Sequence, residues 1–455
     1  MPCPSLRSTG PSSHPVYSPA RPLPCMHELQ GPYHLDPFTP MRQGERLDQM
    51  SERDWLDERL SMGVKLGLDN CREILSRMGD PHLEFPSIHV AGTNGKGSLC
   101  VKLSAASSSS GNITGLFTSP HLVTVEERIR IDGRPVSPVL FDDLLEMVRQ
   151  ASEESPAISP TYFETTFLVA MLAFSISGVD RAIIETGMGG RLDATRLVDA
   201  DLCMLTTISM DHSEFLGPTL EEIATEKAAI HRPGIKMIAL QQTDPGVIGV
   251  IEEIGGEDLL WWPYIQASSN KWESYDPLVE AVSEFLGWKP RDTECVWPGR
   301  SPNFGEDWAE GVTTRLSAAH NAESLESDLN EIEVPTVVLF GMSKKADLRK
   351  SLDPFMAEIS MDHIFPKVVF TEPISGRNPA VTVEELSEIM EDYGIGYVPS
   401  KVEKDPLKAF EIAGSMAREL DADLLVIGSV YLVGDLLKYM VERDELNLWE
   451  VLTAH

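Results

Sequence analysis

Short apolar runs alternate with amphipathic stretches along most of the chain, and the two periods predict strands and helices respectively. The apolar runs predict strands at 86–90, 115–121, 127–132, 181–185, 202–208, 237–240 and 259–262. Apolar residues at helical spacing in 53–78 predict two short helices. Further helices are predicted at 99–106, 161–177, 219–232 and 278–286.

The segment Trp297–Arg300 contains the Pro-Gly pair that is typical of a hinge. The alternation of predicted strands and helices restarts after it. Strands are predicted at 336–340, 367–371 and 423–427, and helices at 316–329, 383–392, 406–419 and 433–443. Strands that alternate with helices are typical of α/β domains with mostly parallel sheets. We therefore expect an α/β protein with one such domain over 41–296, a hinge at 297–300 and a second, Rossmann-like α/β domain over 301–455. Residues 1–40 are rich in Pro and Ser and are predicted to be disordered.

The composition narrows the range of partners. The 455 residues carry a formal net charge of −33, which argues against a broad basic face for nucleic acid or an anionic membrane. The charge fits equally a protein of a high-salt cytoplasm and an ordinary acidic soluble protein. No apolar run is long enough to cross a bilayer, and residues 1–40 lack the apolar core of a secretory signal. We expect a cytoplasmic monomer.

The cysteines carry no pattern of their own. None of the C-x-x-C pairs typical of zinc sites occurs, and the spacing suggests no disulfide framework. Free thiols of a reducing compartment are the simplest interpretation of Cys3, Cys25, Cys71, Cys100, Cys203 and Cys295.

The stretch from Pro86 to Ala106 carries the strongest chemical signal. An apolar run leads into a glycine-rich loop, and a helix is predicted to follow. Glycines let backbone N–H groups turn towards an anion, Lys96 can neutralise phosphate oxygens, and the Ser98 hydroxyl can ligate magnesium. The spacing departs from G-x-x-x-x-G-K-[S/T], because Val90 stands at the first glycine and Gly97 separates Lys96 from Ser98. We predict a site for ATP or GTP formed by Gly92, Thr93, Asn94, Gly95, Lys96, Gly97 and Ser98.

Other polar residues follow predicted strands. Asp211 and His212 come after the apolar run 202–208, at the sheet edge where α/β proteins bind ligands. A capping role and a ligand role are equally good interpretations of His121. Glu164 falls in the first turn of a helix, where the dipole alone favours a carboxylate. Lys227 lies on a predicted helix, where a lysine is ordinarily just solvated.

Several segments in order resemble the folylpolyglutamate synthase and dihydrofolate synthase family of the Mur-ligase superfamily. The resemblance covers about residues 60–440 and rests on the segments 89–98, 115–122, 127–129, 163–164, 189–195, 211–212, 226–227, 298–300, 319–321 and 428–432.

The resemblance implies an ATP-dependent acid–amino-acid ligase. In such a ligase ATP phosphorylates a substrate carboxylate, the amine of L-glutamate attacks the acyl phosphate, and phosphate leaves. The substrate would be a folate, dihydropteroate or both, held at a site between the two domains.

The same resemblance implies roles for individual residues. Ser98 and Glu164 would hold one Mg²⁺, and Glu164, His212 and Lys227 a second, with Lys227 carrying a carbamate whose oxygens can ligate a cation. The implied catalytic residues are Lys96, Glu164, His212 and Lys227. Phosphate contacts would come from Lys96 and Arg300, and a nucleotide contact from His320.

Some positions depart from the family pattern. Ser317-Ala318 replaces Asp-Gly, Arg196 replaces an Asn, and the family's His-Gln segment is not found between Leu240 and Leu286. Two alternatives therefore stay open beside the folate ligase. One is a related ligase for another pair of carboxylate and amino acid, and the other is a nucleotide-binding relative that has lost turnover.

Overall fold

Two β-sheets, each covered by helices on both faces, organise the protein in the computed structural model. The structure describes residues 51–263, 272–291, 294–301, 304–345, 348–361, 364–376, 378–395 and 400–454. The predicted disorder of residues 1–40 lies outside these ranges. In the described part of the chain, every helix falls short of the combined length and apolarity that a bilayer span requires.

The first sheet has eight strands in the order β4-β3-β2-β5-β1-β6-β7-β8. The β2–β3 and β3–β4 pairs are antiparallel, and the other pairs are parallel. The strands are β1 Ser87–Ala91, β2 Thr114–Phe117, β3 Ile129–Ile131, β4 Arg134–Pro135, β5 Arg181–Glu185, β6 Ala200–Leu205, β7 Met237–Leu240 and β8 Leu259–Trp262.

The helices of this part run before, between and after its strands. They are α1 Glu52–Glu58, α2 Asp69–Arg77, α3 Lys96–Ser109, α4 Pro138–Glu153, α5 Tyr162–Ile176, α6 Ser213–Leu216, α7 Leu220–Ala228, α8 Pro245–Gly255 and α9 Asp276–Leu286.

Strand β1 lies at the centre of this sheet, between β5 and β6. Successive side chains of a strand point to opposite faces, so both faces of a covered sheet must be apolar. Ile88 and Val90 pack in the cluster that contains α3 and α9, whereas Ala91 packs in the cluster that contains α4 and α5. The register pairs Val90 with Glu185 and Ala91 with Leu205, so the carboxyl ends of β5, β1 and β6 meet at one edge.

The second sheet has five parallel strands in the order β12-β11-β10-β13-β9. The strands are β9 Thr314–Leu316, β10 Thr336–Phe340, β11 Val368–Phe370, β12 Ser400–Val402 and β13 Asp423–Ile427. The helices are α10 Ala322–Leu329, α11 Leu348–Met361, α12 Val383–Asp392, α13 Pro406–Leu420, α14 Val430–Arg443 and α15 Leu448–Val451. The expected fold class, a mostly parallel sheet followed by a second parallel α/β unit, is confirmed.

The two parts of the protein touch closely beside the segment 297–300. Leu122 packs in the apolar cluster of α14, where Gly434 leaves so little room that an added Cβ would lie 2.1 Å from the Leu122 carbonyl oxygen. A Cβ on Gly299 would lie 2.7 Å from Val433. Farther along the boundary, Ala454 N donates to the Gly133 carbonyl. That residues 297–300 act as a hinge stays a prediction.

Some predicted elements were wrong in extent or kind. The strand expected at 127–132 is confined to β3, because Val125–Arg128 forms a 3₁₀ turn with a Thr124 capping box. The helix expected from Leu316 begins at Ala322, because Leu316 completes strand β9 and the Asn321 side chain caps the helix.

Other elements went unpredicted. Helix α8, which Asp244 caps, was missed because Pro245–Gly255 contains three glycines. Helix α11 was missed because Pro354 interrupts its helical pattern. The short strand β12 was also missed.

Candidate active site

The glycine-rich loop forms the strand, loop and helix arrangement that the sequence predicts. Gly92 and Gly95 have positive φ angles of 144° and 83°, and α3 begins at Lys96. A Cβ on Gly92 would lie 1.8 Å from Thr206 Oγ1, and one on Gly95 would lie 1.8 Å from Tyr275 Oη. Both glycines are therefore required by close packing as well as by backbone conformation. The loop keeps the N-terminus of α3 directed at the sheet edge, where an anion is stabilised.

Lys96 and Glu185 form the charged centre beside this loop. Lys96 Nζ donates to the Thr93 carbonyl at 3.0 Å and lies 4.0 Å from Glu185 Oε1. Glu185 ends β5, is 4% exposed, and accepts a hydrogen bond from Ser119 N at 3.0 Å. Burial raises the pKa of Glu185, although Lys96 opposes the shift.

Glu164, the carboxylate expected to bind Mg²⁺ at the phosphate loop, makes its hydrogen bonds at the start of α5. Its Oε2 accepts from Thr161 N at 2.6 Å, which closes a capping box at the start of α5. Burial raises the pKa of the Cys71 thiol, and Glu164 reinforces this shift. One oxygen of this carboxylate is thus engaged at the N-terminus of α5, whereas Glu185 lies beside Lys96 at the phosphate loop.

Sequence reasoning missed Glu185, although a signal was present. Glu185 is the last residue of an apolar strand that pairs with the loop strand β1. Carboxyl ends of adjacent parallel strands share one edge, so a carboxylate at that point belongs beside the loop.

Lys227 reaches the same edge from α7. Its ammonium is buried and donates to the Gly92 carbonyl at 2.9 Å. Burial, reinforced by Lys96, lowers the pKa of Lys227 to about 7, while Asp211 and Asp193 oppose the shift. A fraction of this amine is therefore uncharged near neutral pH, unlike an ordinary solvated lysine.

Asp211 and His212 follow β6 at the same edge. His212 adopts a left-handed backbone with φ 52°, and its Nε2 lies 3.8 Å from Asp211 Oδ2. Burial lowers the pKa of His212, with Asp211 opposing, so the ring is neutral and able to ligate a metal. Burial acts to raise the pKa of Asp211, but the basic side chains around it outweigh this effect. The pKa of Asp211 is therefore lowered.

The second part of the protein contributes residues that face this edge. Asn321 Nδ2 donates to Asn94 Oδ1 at 2.9 Å, and Asn94 donates to Glu323. His320 Nδ1 donates to the Ala318 carbonyl at 2.9 Å, which leaves Nε2 without a proton in the neutral ring. Burial, reinforced by Lys345, lowers the pKa of His320 to about 4.

Lys345 is a second residue that the sequence reasoning missed. Its Nζ donates to the His320 carbonyl at 2.6 Å, and its charge helps to lower the pKa of Asp211 across the boundary. It follows the apolar strand β10 at the carboxyl end, the same signal that identifies Glu185.

Arg300 and Ser317 connect the boundary to α10. Burial lowers the pKa of Arg300, while the nearby carboxylates of Glu185 and Asp328 oppose the shift. Ser317 Oγ donates to Asp328 Oδ2 at 2.5 Å. A carboxylate therefore lies beside Ser317, the position where the resemblance expects an Asp.

The donors at this edge fit a hard divalent cation bound together with phosphate. A buried carboxylate on Glu185 and the partly exposed Ser98 hydroxyl are oxygen donors of the kind that Mg²⁺ prefers. Among the described residues, no cluster of three or more His, Cys, Asp or Glu side chains could hold a metal alone. Phosphate oxygens and water would have to complete the coordination shell.

A phosphate loop on one mostly parallel sheet, together with a second, parallel sheet, places the protein in the phosphate-loop α/β class. No family model matches the chain. A dihydrofolate synthase/folylpolyglutamate synthase from Bacillus subtilis is 38% identical over 203 residues, which are 44% of this chain and 47% of that protein. The match thus spans about half the length of that relative.

Longer matches extend the relationship over most of the chain. A probable dihydrofolate synthetase from Schizosaccharomyces pombe is 28% identical over 429 residues, covering 83% of this chain and 99% of that protein. A bifunctional folylpolyglutamate synthase/dihydrofolate synthase solved with Mn, AMPPNP and L-glutamate bound has a TM-score of 0.70. Its identity is 24%, covering 86% of this chain and 98% of that chain. Over 83% of its length this chain is therefore similar to a member of the folylpolyglutamate synthase and dihydrofolate synthase family.

The two glutamates can be separated by matched substitutions. We expect Glu185→Gln to weaken Mg²⁺-dependent binding of an ATP analogue about tenfold or more, because a charged oxygen ligand is lost. Glu164→Gln keeps an amide oxygen that can accept from Thr161 N, so its binding should match the unsubstituted protein. Calorimetric titration with and without Mg²⁺ measures both. Weakened binding in the Glu164 variant alone would contradict the assignment.

The depressed pKa of His320 predicts a pH-dependent stability. Between its ordinary value of 6.5 and about 4, the unfolded chain binds a proton that the folded protein does not. The free energy of unfolding should therefore rise with pH in this window, by up to about 1.4 kcal/mol per pH unit from this group. Denaturant unfolding of the unsubstituted protein and His320→Gln should give a difference that grows from pH 4 to 6.5. A difference independent of pH would refute the prediction.

Proposed function

We propose that the protein is an ATP-dependent ligase that adds L-glutamate to a folate, to dihydropteroate or to both. The observation that carries the proposal is the meeting of Lys96, Glu185 and Lys227 at the phosphate loop, opposite Arg300 and His320 of the second part. The names of the relatives, and the nucleotide, metal and glutamate in a related structure, support this choice of reaction and substrates.

The chemistry suits the charges at this edge. The γ-phosphate of ATP is transferred to the substrate carboxylate, the amine of L-glutamate attacks the acyl phosphate, and inorganic phosphate leaves. Both reacting partners are anionic, so positioning and charge neutralisation are the main requirements. We assign the phosphate contacts to Lys96 and Arg300, and a nucleotide contact to His320.

Magnesium would be held by Ser98 and Glu185, with a second ion between Glu185, His212 and Lys227. Bound there, it would neutralise the charge that develops on the phosphate oxygens. Glu185 replaces Glu164 in this set because Glu164 caps α5.

The surroundings of Lys227 support our assignment of a carbamate to this residue. An ammonium repels a cation, but an uncharged amine reacts with CO₂ to give a carbamate and a proton, and the carbamate oxygens can ligate Mg²⁺. A lysine pKa of about 7 makes the reactive amine available at neutral pH. The repulsion between Lys96 and Lys227 is relieved in the same step.

Product formation tests the activity directly. We expect purified protein with ATP, Mg²⁺ and L-glutamate to release ADP and form a glutamylated product with dihydropteroate or with tetrahydrofolate. Mass spectrometry identifies the product. ADP release that depends on neither pterin would indicate another carboxylate substrate, and ATP binding without ADP release would indicate a relative that has lost turnover.

Lys227 provides a separate test of the second metal site. We expect Lys227→Ala to lower kcat by about 10²-fold or more, because a ligand is lost where charge must be neutralised. Short carboxylic acids such as acetate should restore part of the activity by filling the vacated space. Lys236→Ala, at a half-exposed lysine after α7, is the control. An unaffected Lys227 variant would remove this residue from the proposed site.

A further inference from the structure

A pocket lined by arginines lies on the far side of the loop that packs against α7. Its volume is about 510 Å³, within the usual range for small-molecule sites. Arg72, Arg191, Arg196 and Arg232 line it, and Asp199 is its only acidic lining residue. The whole chain has 71 Asp and Glu against 38 Lys and Arg, so the balance of charge in this pocket is reversed.

The two inner arginines are held by backbone carbonyls. Arg196 donates to the carbonyls of Ala229 and His231, both at 3.1 Å. Arg232 donates to the carbonyls of Ile230, Arg196 and Val198 at 2.8–2.9 Å. Carbonyls fix the guanidinium groups but leave their positive charge uncompensated. Burial, reinforced by Arg232, lowers the pKa of Arg196. The inner wall of the pocket therefore favours an anion.

The two outer arginines remain open to solvent. Arg72 pairs with Asp69 at 2.9 Å and Arg191 with Glu226 at 2.8 Å, and both arginine side chains are more than half exposed. Exposed ion pairs are weak, so either guanidinium can be recruited by a ligand at little cost. A planar guanidinium matches a carboxylate with two parallel hydrogen bonds.

The pocket is connected to the proposed active site through one loop. Arg191 N donates to the Glu226 carbonyl at 2.9 Å, one residue before Lys227. A Cβ on Gly190 would lie 2.9 Å from the Lys227 carbonyl. One side of this loop thus contacts the helix of Lys227, and the other side forms a wall of the pocket.

We propose that the pocket formed by Arg72, Arg191, Arg196 and Arg232 binds the γ-glutamyl tail of a folate. The assignment rests on the proposed function for the identity of the tail. Each internal γ-linked glutamate carries one free carboxylate on a short apolar spacer, and the terminal glutamate carries two. The arginines match the carboxylates, and Leu68, Leu83 and Leu197 offer apolar wall to the methylene groups. An inorganic polyphosphate would match only the arginines.

Direct binding of a tail without its pterin tests this assignment. Penta-γ-L-glutamate is titrated calorimetrically into the full-length protein at low salt, without ATP. We expect Arg72→Gln/Arg191→Gln to weaken binding about tenfold or more, since charge-assisted hydrogen bonds are lost. Arg349→Gln is the matched control, because Arg349 is similarly exposed and paired with Asp392 in the second part. Its affinity should be unchanged.

The possible outcomes separate the alternatives. Equal peptide affinity in the double variant and the unsubstituted protein would overturn the proposal, as would no binding at millimolar peptide. Tripolyphosphate that binds more tightly than the peptide, with the same sensitivity to the double substitution, would make phosphate the ligand. The titration contains neither ATP nor a pterin. Its result therefore does not depend on whether the protein acts as a ligase on a monoglutamyl substrate. A thermal unfolding scan of the double variant confirms that it is folded.

Discussion

The pairing of β1 with β5 on one side and β6 on the other is the constraint on which the site depends. Parallel pairing fixes the register, so the glycine loop after β1, Glu185 at the end of β5 and Asp211 after β6 reach the same edge. A shift of one residue in β1 would turn its side chains to the opposite faces and separate these strand ends. Apolar packing on both faces holds the register, and the chemistry depends on that packing.

Charge compensation is the second constraint on this edge. The charge of Lys96 adds to burial in lowering the pKa of Lys227, and the buried carboxylate of Glu185 lies 4.0 Å from Lys96 Nζ. Such an arrangement is costly for the protein alone, because buried charges need partners. In the proposed function a phosphate group would compensate the cations, and a divalent ion would compensate the carboxylate. Buried charge without full compensation is expected at a site that a ligand completes.

Local signals in the sequence predicted much of the fold and part of the site. The apolar run before Gly92 and the glycines after it define a strand, a loop and a helix without any distant contact. The capping residue Thr219 likewise marks the start of α7. Local signals do not tell whether Glu164 or Glu185 lies beside the phosphate loop, because that depends on the order of the strands in the sheet. The role of Asp328 beside Ser317 also depends on a contact between segments that the sequence does not reveal.

The tight packing of Leu122 against Gly434, beside Trp297–Arg300, has a consequence for how the two parts are aligned. A methyl group added at Gly434 would lie 2.1 Å from the Leu122 carbonyl oxygen, so the backbones would have to move apart to accommodate it. Asn94 and Asn321 also meet across this boundary, so such a shift would change the distance between them. The alignment of the phosphate loop with the second sheet thus depends on the absence of one side chain on α14.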